Sequence, residues 1–227
     1  MELIKQKVEF LTPINREEIL KNIEIAARTC YKSEQNITEN SASRMVKNLV
    51  KNGHTAMIEM GGMITVKVTT NRAIANEIVR HRIASYAQES TRYVNYGKKP
   101  IKFILPHWVK NLKEGVYTDF EEYIYRYNGT EQDPQELNNL DYYFLKQMYN
   151  SEHVYNILMN EIQPQQARDI LPLALATELV VSMNLRAWKH FIDLRSIGTT
   201  GKPHPDIKEI ADIIKTEFNI KLPEIFN

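Results

Sequence analysis

One cysteine, Cys30, stands among 227 residues, so no internal disulfide framework exists, and such usage predicts a reducing, cytoplasmic setting. Glycine is sparse and scattered: eight residues, with no Gly-x-Gly-x-x-Gly and no Walker sequence. Any nucleotide bound here must be held by side chains and helix ends rather than by a glycine-rich turn. Charge of one sign is not in excess either. The formal net charge of +1 supplies no long-range field for nucleic acid or an anionic membrane, and neither is expected as a partner. No apolar run approaches spanning length, and Met1 to Lys7 has no apolar leader core. The histidines His54, His81, His107, His153, His190 and His204 show no paired metal spacing, so no metal site is expected. Without repeats or low-complexity linkers, residues 1–227 read as one domain with one sizeable core.

What the chain does carry is periodicity. Ile19, Ile23, Ala26 and Ala27 recur at helical spacing behind Asn15, predicting a capped helix over 16–33. A second helix is expected from Ser41 to Asn52, ended by Gly53. Then Ile64, Val66 and Val68 alternate with Thr65, Lys67 and Thr69, a half-buried strand over 62–70. Helix returns over 72–82 on Ile74, Ile78 and Val79, so Arg80, His81 and Arg82 are expected to close it. Lys99-Pro100 and Pro106 bound a short apolar run with strand character, and residues 107–132 lack firm periodicity. A long helix is predicted from about Gln135 to Glu161, stopped by Pro164, with a turn or short helical piece from Arg168 to Pro172. A second alternating strand covers 176–184, followed by helices over Leu185–Leu194 and Pro205–Phe218. Helices at both ends around a few strands predict an α+β fold, with a mainly antiparallel central sheet flanked by helices.

Arginine is concentrated. Arg72, Arg80, Arg82 and Arg92 fall within 21 residues, and the planar guanidinium fork suits phosphates and flat carbonyl rings. The two strand-to-helix passages look alike, one leading to Arg80 and Arg82, the other to Arg186 and Arg195. Neighbouring strands would bring both sets to one cleft. Ser90 among these cations suggests a nucleophile, but no Gly-x-Ser-x-Gly elbow is present, and His81 has no evident orienting carboxylate. Ser90 and Thr91 fit better as hydrogen-bond donors to phosphate. Cys30 beside Arg28 is expected to be a small buried side chain rather than a thiolate nucleophile. His54 reads either as a helix-end cap or as a site residue. The tyrosine-rich stretch 117–127 with Arg126 suggests a base-stacking surface, but its interleaved acids favour a packed or subunit-contacting one.

Arg80-His81-Arg82, seven residues and then Ser90 resembles the Arg-His-Arg-x7-Ser signature of the flavin-dependent thymidylate synthases. Ala27-Arg28-Thr29-Cys30-Tyr31, Gly53-His54-Thr55 with Glu59, Ala167-Arg168 with Leu171-Pro172, and Asn184-Leu185-Arg186 with Phe191 and Leu194-Arg195 resemble further family segments, in family order. The chain departs from the family's usual residues at Ala56, Met60, Ala87-Gln88, His190 and 197–205. The resemblance implies an oligomeric enzyme, a homotetramer with shared active sites. It would make dTMP from dUMP with methylenetetrahydrofolate as carbon donor, NADPH as reductant and FAD as hydride carrier. It implies that Ala56, Arg80, His81, Arg82, Gln88, Asn184, Arg186 and His190 hold the flavin. Glu77, Ile78, Val79, Arg80, Gln88, Glu89, Ser90, Thr91, Arg92, Arg168 and Arg195 would bind dUMP. Arg195, Arg80 and Ser90 would be the residues closest to the chemistry, with no enzyme nucleophile. A nucleotide- or RNA-binding protein that keeps the fold without catalysis is the alternative. A cysteine-dependent thymidylate synthase fits poorly, because Cys30 has the wrong context.

Overall fold

The computed structural model describes residues 1–118 and 139–227. The chain divides into two compact units: Met1–Lys7, Thr69–Glu77 and Gln88–Leu179 form the first, and Val8–Val68, Ile78–Ala87 and Val180–Asn227 the second.

In the first unit, β1 (Glu2–Ile4) lies between β5 (Lys102–Ile104), its parallel neighbour, and β6 (Gly115–Val116), its antiparallel one. Leu3 pairs with Phe103, and both are fully buried. Helix α4 (Asn139–Leu158) adds Phe144, Leu145, Met148 and Tyr155 to the same core. The chain start is tied down rather than frayed: the Met1 ammonium meets Glu152 Oε2 at 2.6 Å, while Glu152 Oε1 accepts from the Ile101 amide at 2.7 Å. Strands this short carry no readable period, so the N-terminal pairing went unforeseen and the expected helix-first order is corrected. Pro164 does not stop α4, which ends six residues earlier. It opens α5 (Pro164–Ala167), where the Gln163–Gln166 capping box satisfies the first amides. The predicted helix start at 135–138 and most of 107–132 lie outside the described residues.

The second unit holds most of an antiparallel sheet of order β2-β3-β7-β4, built from β2 (Lys7–Phe10), β3 (Met63–Asn71), β7 (Ala176–Asn184) and β4 (Ala84–Gln88). The ends of β3 and β7, from Thr69 and up to Leu179, count with the first unit. Alternation in β3 and β7 buries Ile64, Val66, Val181 and Met183. Helix α1 (Arg16–Tyr31) starts where Asn15 accepts the Glu18 amide. Helix α2 (Ser41–Lys51) ends as expected: Gly53, at φ +75°, donates to Val50 and His54 donates to Leu49, freeing neither carbonyl. Gly61 permits close packing, since a Cβ there would stand 2.6 Å from Leu185. Helices α6 (Leu185–Ile192), α7 (Pro205–Lys221) and α8 (Pro223–Phe226) complete the unit, with Trp188 donating its indole N–H to Ile64. No helix among the described residues is long and apolar enough to cross a membrane.

Two expectations about local placement are overturned. Helix α3 (Arg72–Ile78) stops at Ile78, and Arg80, His81 and Arg82 lie in a turn beyond it. Cys30 is exposed rather than buried: it shares the helix face of Ile23 and Ala27, but it lies in the last turn of α1, beyond Ala27, the last buried residue of the helix.

Candidate active site

The residues singled out above fall into two groups, one in each unit. In the second unit the segment from Ile78 to Ala87 folds back on itself. His81 donates its amide to Ile78, and Ile83 takes a left-handed backbone, φ +64°, unusual for a β-branched residue. Tyr86, next along β4, places its hydroxyl 3.0 Å from the Ile78 carbonyl and 2.5 Å from that of His81. Burial pushes the Tyr86 phenol up to about 12, so it remains a donor. This latch explains why the helical period of 72–82 misleads: a tyrosine from the following strand captures the carbonyls that a longer helix would have used.

His81 is buried, and its Nε2 accepts from Arg195 Nε at 3.0 Å. Its ring lies edge-on to Phe191 and His190, at centroid distances of 4.9 and 6.1 Å. Burial first, then the Arg195 charge and His190, lower its pKa to about 4. The two arginine-bearing passages do therefore meet here, through His81 and Arg195. Arg195 sits in a π-turn, Asp193–Ile197, that continues α6 and is closed by Gly198 at φ +81°. Asn184 accepts the Ala187 amide at 2.8 Å and so caps α6. Arg186 is bound to Glu59 at 2.7 Å. Arg80, Arg82, His190 and Ala56 are exposed, and Val79 is 37% exposed.

In the first unit, Arg168 Nη1 donates to Thr91 Oγ1 at 3.2 Å across 77 positions of sequence. Ser90 Oγ accepts the Arg92 amide at 3.3 Å, and the Ser90 carbonyl accepts from Tyr93 and Val94. The hydroxyl is thus part of a local turn, with no histidine base among its partners in the described residues. Glu89 pairs by its amide with Glu178, and its carbonyl accepts from Arg72 at 3.0 Å. Gln88 Nε2 reaches Thr177 at 3.4 Å, and Glu77 is half-buried. Arg92 lies over the Tyr93 ring, 5.3 Å from its centroid.

Sequence reasoning missed Tyr86, and it counted Arg72 in the arginine cluster without foreseeing its contact with the Glu89 carbonyl. Neither carries a local signal, since each acts on backbone carbonyls brought close only by folding. His54 contributes its amide to the α2 cap, while its side chain lines a cavity of about 250 Å³ with Arg28, Arg44 and Asn48. The donor chemistry suits a flavin dinucleotide. Among the described residues, Arg80 and Arg82 have no hydrogen-bond or ion-pair partner within the chain, leaving two exposed guanidiniums available to a diphosphate.

A family model described as thymidylate synthase complementing protein matches residues 14–224. The flavin-dependent thymidylate synthase of Corynebacterium glutamicum is 29% identical over 96% of this chain and 82% of its own length. A probable flavin-dependent thymidylate synthase of Paramecium bursaria Chlorella virus 1 is 28% identical over 85% of this chain and 82% of its own. In fold, the chain is similar to the UMP/dUMP methylase PolB from Streptomyces cacaoi, solved with 5-Br dUMP. The TM-score is 0.73 at 21% identity, covering 100% of this chain and 95% of that one. The chain belongs to the thymidylate synthase complementing protein family, that of the flavin-dependent thymidylate synthases.

Proposed function

We propose that this protein is a flavin-dependent thymidylate synthase, methylating dUMP to dTMP with methylenetetrahydrofolate as carbon donor and NADPH as reductant. The reading rests above all on the family match over residues 14–224. The Arg168–Thr91 contact supports it, gathering the guanidinium and hydroxyl donors that a nucleotide phosphate needs. Ser90, Thr91, Arg92 and Arg168 grip that phosphate, and Glu77, Ile78, Val79, Gln88 and Glu89 line the nucleotide. Arg80, His81, Arg82, Gln88, Asn184, Arg186 and His190, with Ala56 alongside, hold FAD. Bound FAD supplies hydride transfer, so no protein nucleophile is required.

Arg195 lies against the polar edge of uracil and stabilises negative charge as C5 becomes nucleophilic, a contribution of about 3 kcal/mol where water is excluded. Arg80 spans flavin and nucleotide. The phosphate grip fixes the ring's position, so that orientation is settled before the chemistry begins. The protein works as one catalytic domain over residues 1–227, in a cytoplasmic homotetramer with shared active sites.

Purified protein tests this directly. A yellow preparation whose flavin absorbance is bleached by NADPH, and which converts dUMP to dTMP, is the expected result. Colourless protein that neither binds FAD nor consumes NADPH overturns the reading and favours a non-catalytic nucleotide- or RNA-binding role. Sedimentation should give a mass of four chains.

A further inference from the structure

Arg195 is held by its neighbours from more than one side. The next residue, Ser196, is buried, and its hydroxyl donates to Asp212 Oδ1 at 2.5 Å, pinning the π-turn to α7. At the side chain, His81 takes the Nε–H at 3.0 Å. His81 is itself fixed, by the Tyr86 hydroxyl on its carbonyl and by Phe191 against its ring. We propose that His81 is a positioning residue for Arg195: its Nε2 accepts the Arg195 Nε–H and sets the plane in which the guanidinium's terminal nitrogens are presented. This rests on the reading above, in which Arg195 meets the uracil edge.

A guanidinium is planar, so fixing the direction of Nε–H fixes the remaining donors. For Nε2 to accept, the ring must be neutral with its proton on Nδ1. Burial, the adjoining Arg195 charge and nearby His190 all favour that state, and hold it at neutral pH. A carboxylate in the same place would orient Arg195 as well, but would set a full negative charge beside the group meant to stabilise a developing one. The imidazole orients without adding that charge.

The test compares variants of the assembled, FAD-loaded protein by turnover, by dUMP calorimetry and by flavin absorbance. His81→Phe keeps a ring against Phe191 but removes the acceptor. Compared at saturating FAD, because His81 also belongs to the flavin-holding set, it should lower kcat and weaken dUMP binding, each by roughly tenfold. His81→Gln carries a neutral acceptor near the Nε2 position and should recover to within about threefold. In an Arg195→Ala background, His81→Phe should add less than about twofold, since the partner it positions is gone. Wild-type turnover and dUMP affinity in His81→Phe, or losses that multiply in the double variant, overturn the proposal. Should His81→Phe fail to fold, the Asn and Gln variants decide: Asn reaches only the Nδ1 position, and equal rates for the two also overturn it. An unaffected Arg195→Ala enzyme instead sinks the assignment of Arg195 itself, and thus separates the two failures.

Discussion

The signature run from Arg80 to Arg92 is shared between the two units, and its two parts are built differently. The Arg80–Ala87 part, in the second unit, is a locked turn: a strained Ile83, a buried His81 and a tyrosine latch on two carbonyls. The part from Gln88 onward, in the first unit, is a shallow turn whose contacts are single and partly solvated. A turn anchored by one buried side chain and by hydrogen bonds to its carbonyls holds one geometry, which suits the support of Arg195, the residue aimed at a reacting ring. Exposed arginines and hydroxyls adapt to a mobile anion and need only be near it. The contrast separates the residues expected to govern turnover from those expected to govern affinity.

The sharpest way to break that contrast is Arg195→Ala, which should cut kcat by roughly 100-fold or more with flavin retained. An unchanged rate removes the catalytic role from the locked side. On the open side, Arg168→Ala loses a charge-assisted contact and should raise the KM for dUMP by roughly tenfold with kcat little altered. A fall in kcat alone would reverse the assignment of the two parts.

Smaller effects probe the lock itself. Tyr86→Phe removes the donor from the Ile78 and His81 carbonyls, at a cost of about 1 kcal/mol, or some 2–4 °C in Tm. A calorimetric scan with no change would show that the latch contributes no net stability. The last comparison uses pH. His81 titrates near 4 in the folded chain against an ordinary value of 6.5, so the unfolded state takes up its proton first as pH falls. The stability this group contributes is complete above about pH 6.5 and is lost as pH drops towards 4. His81→Gln should therefore show a flatter decline of Tm than wild type across that window. Parallel curves would mean that His81 is not held neutral.

Periodicity reached much of this fold. The β3 and β7 alternations and the α1 and α2 caps lie where the apolar spacing, Asn15 and Gly53 put them, because those signals act within a few residues. The short strands β1, β2 and β4 and the early end of α3 were not legible, since each depends on a partner distant in sequence or on a side chain from the next element. The same division runs through the candidate site. Thr91 was chosen as a phosphate donor and Arg168 by family likeness, but their meeting across 77 positions is a product of folding.

By itself, the sequence determined the class of chemistry. Clustered arginines, scattered glycine and a lone cysteine left little room for a Rossmann turn or a thiolate route, and the Arg-His-Arg-x7-Ser spacing pointed to the family. Tertiary structure alone decided that His81 turns inward to Arg195 while its flanking arginines turn outward. Residue type sets what a side chain can donate or accept. The dielectric around it, and the partner that folding brings to 3.0 Å, set which of those capacities is used.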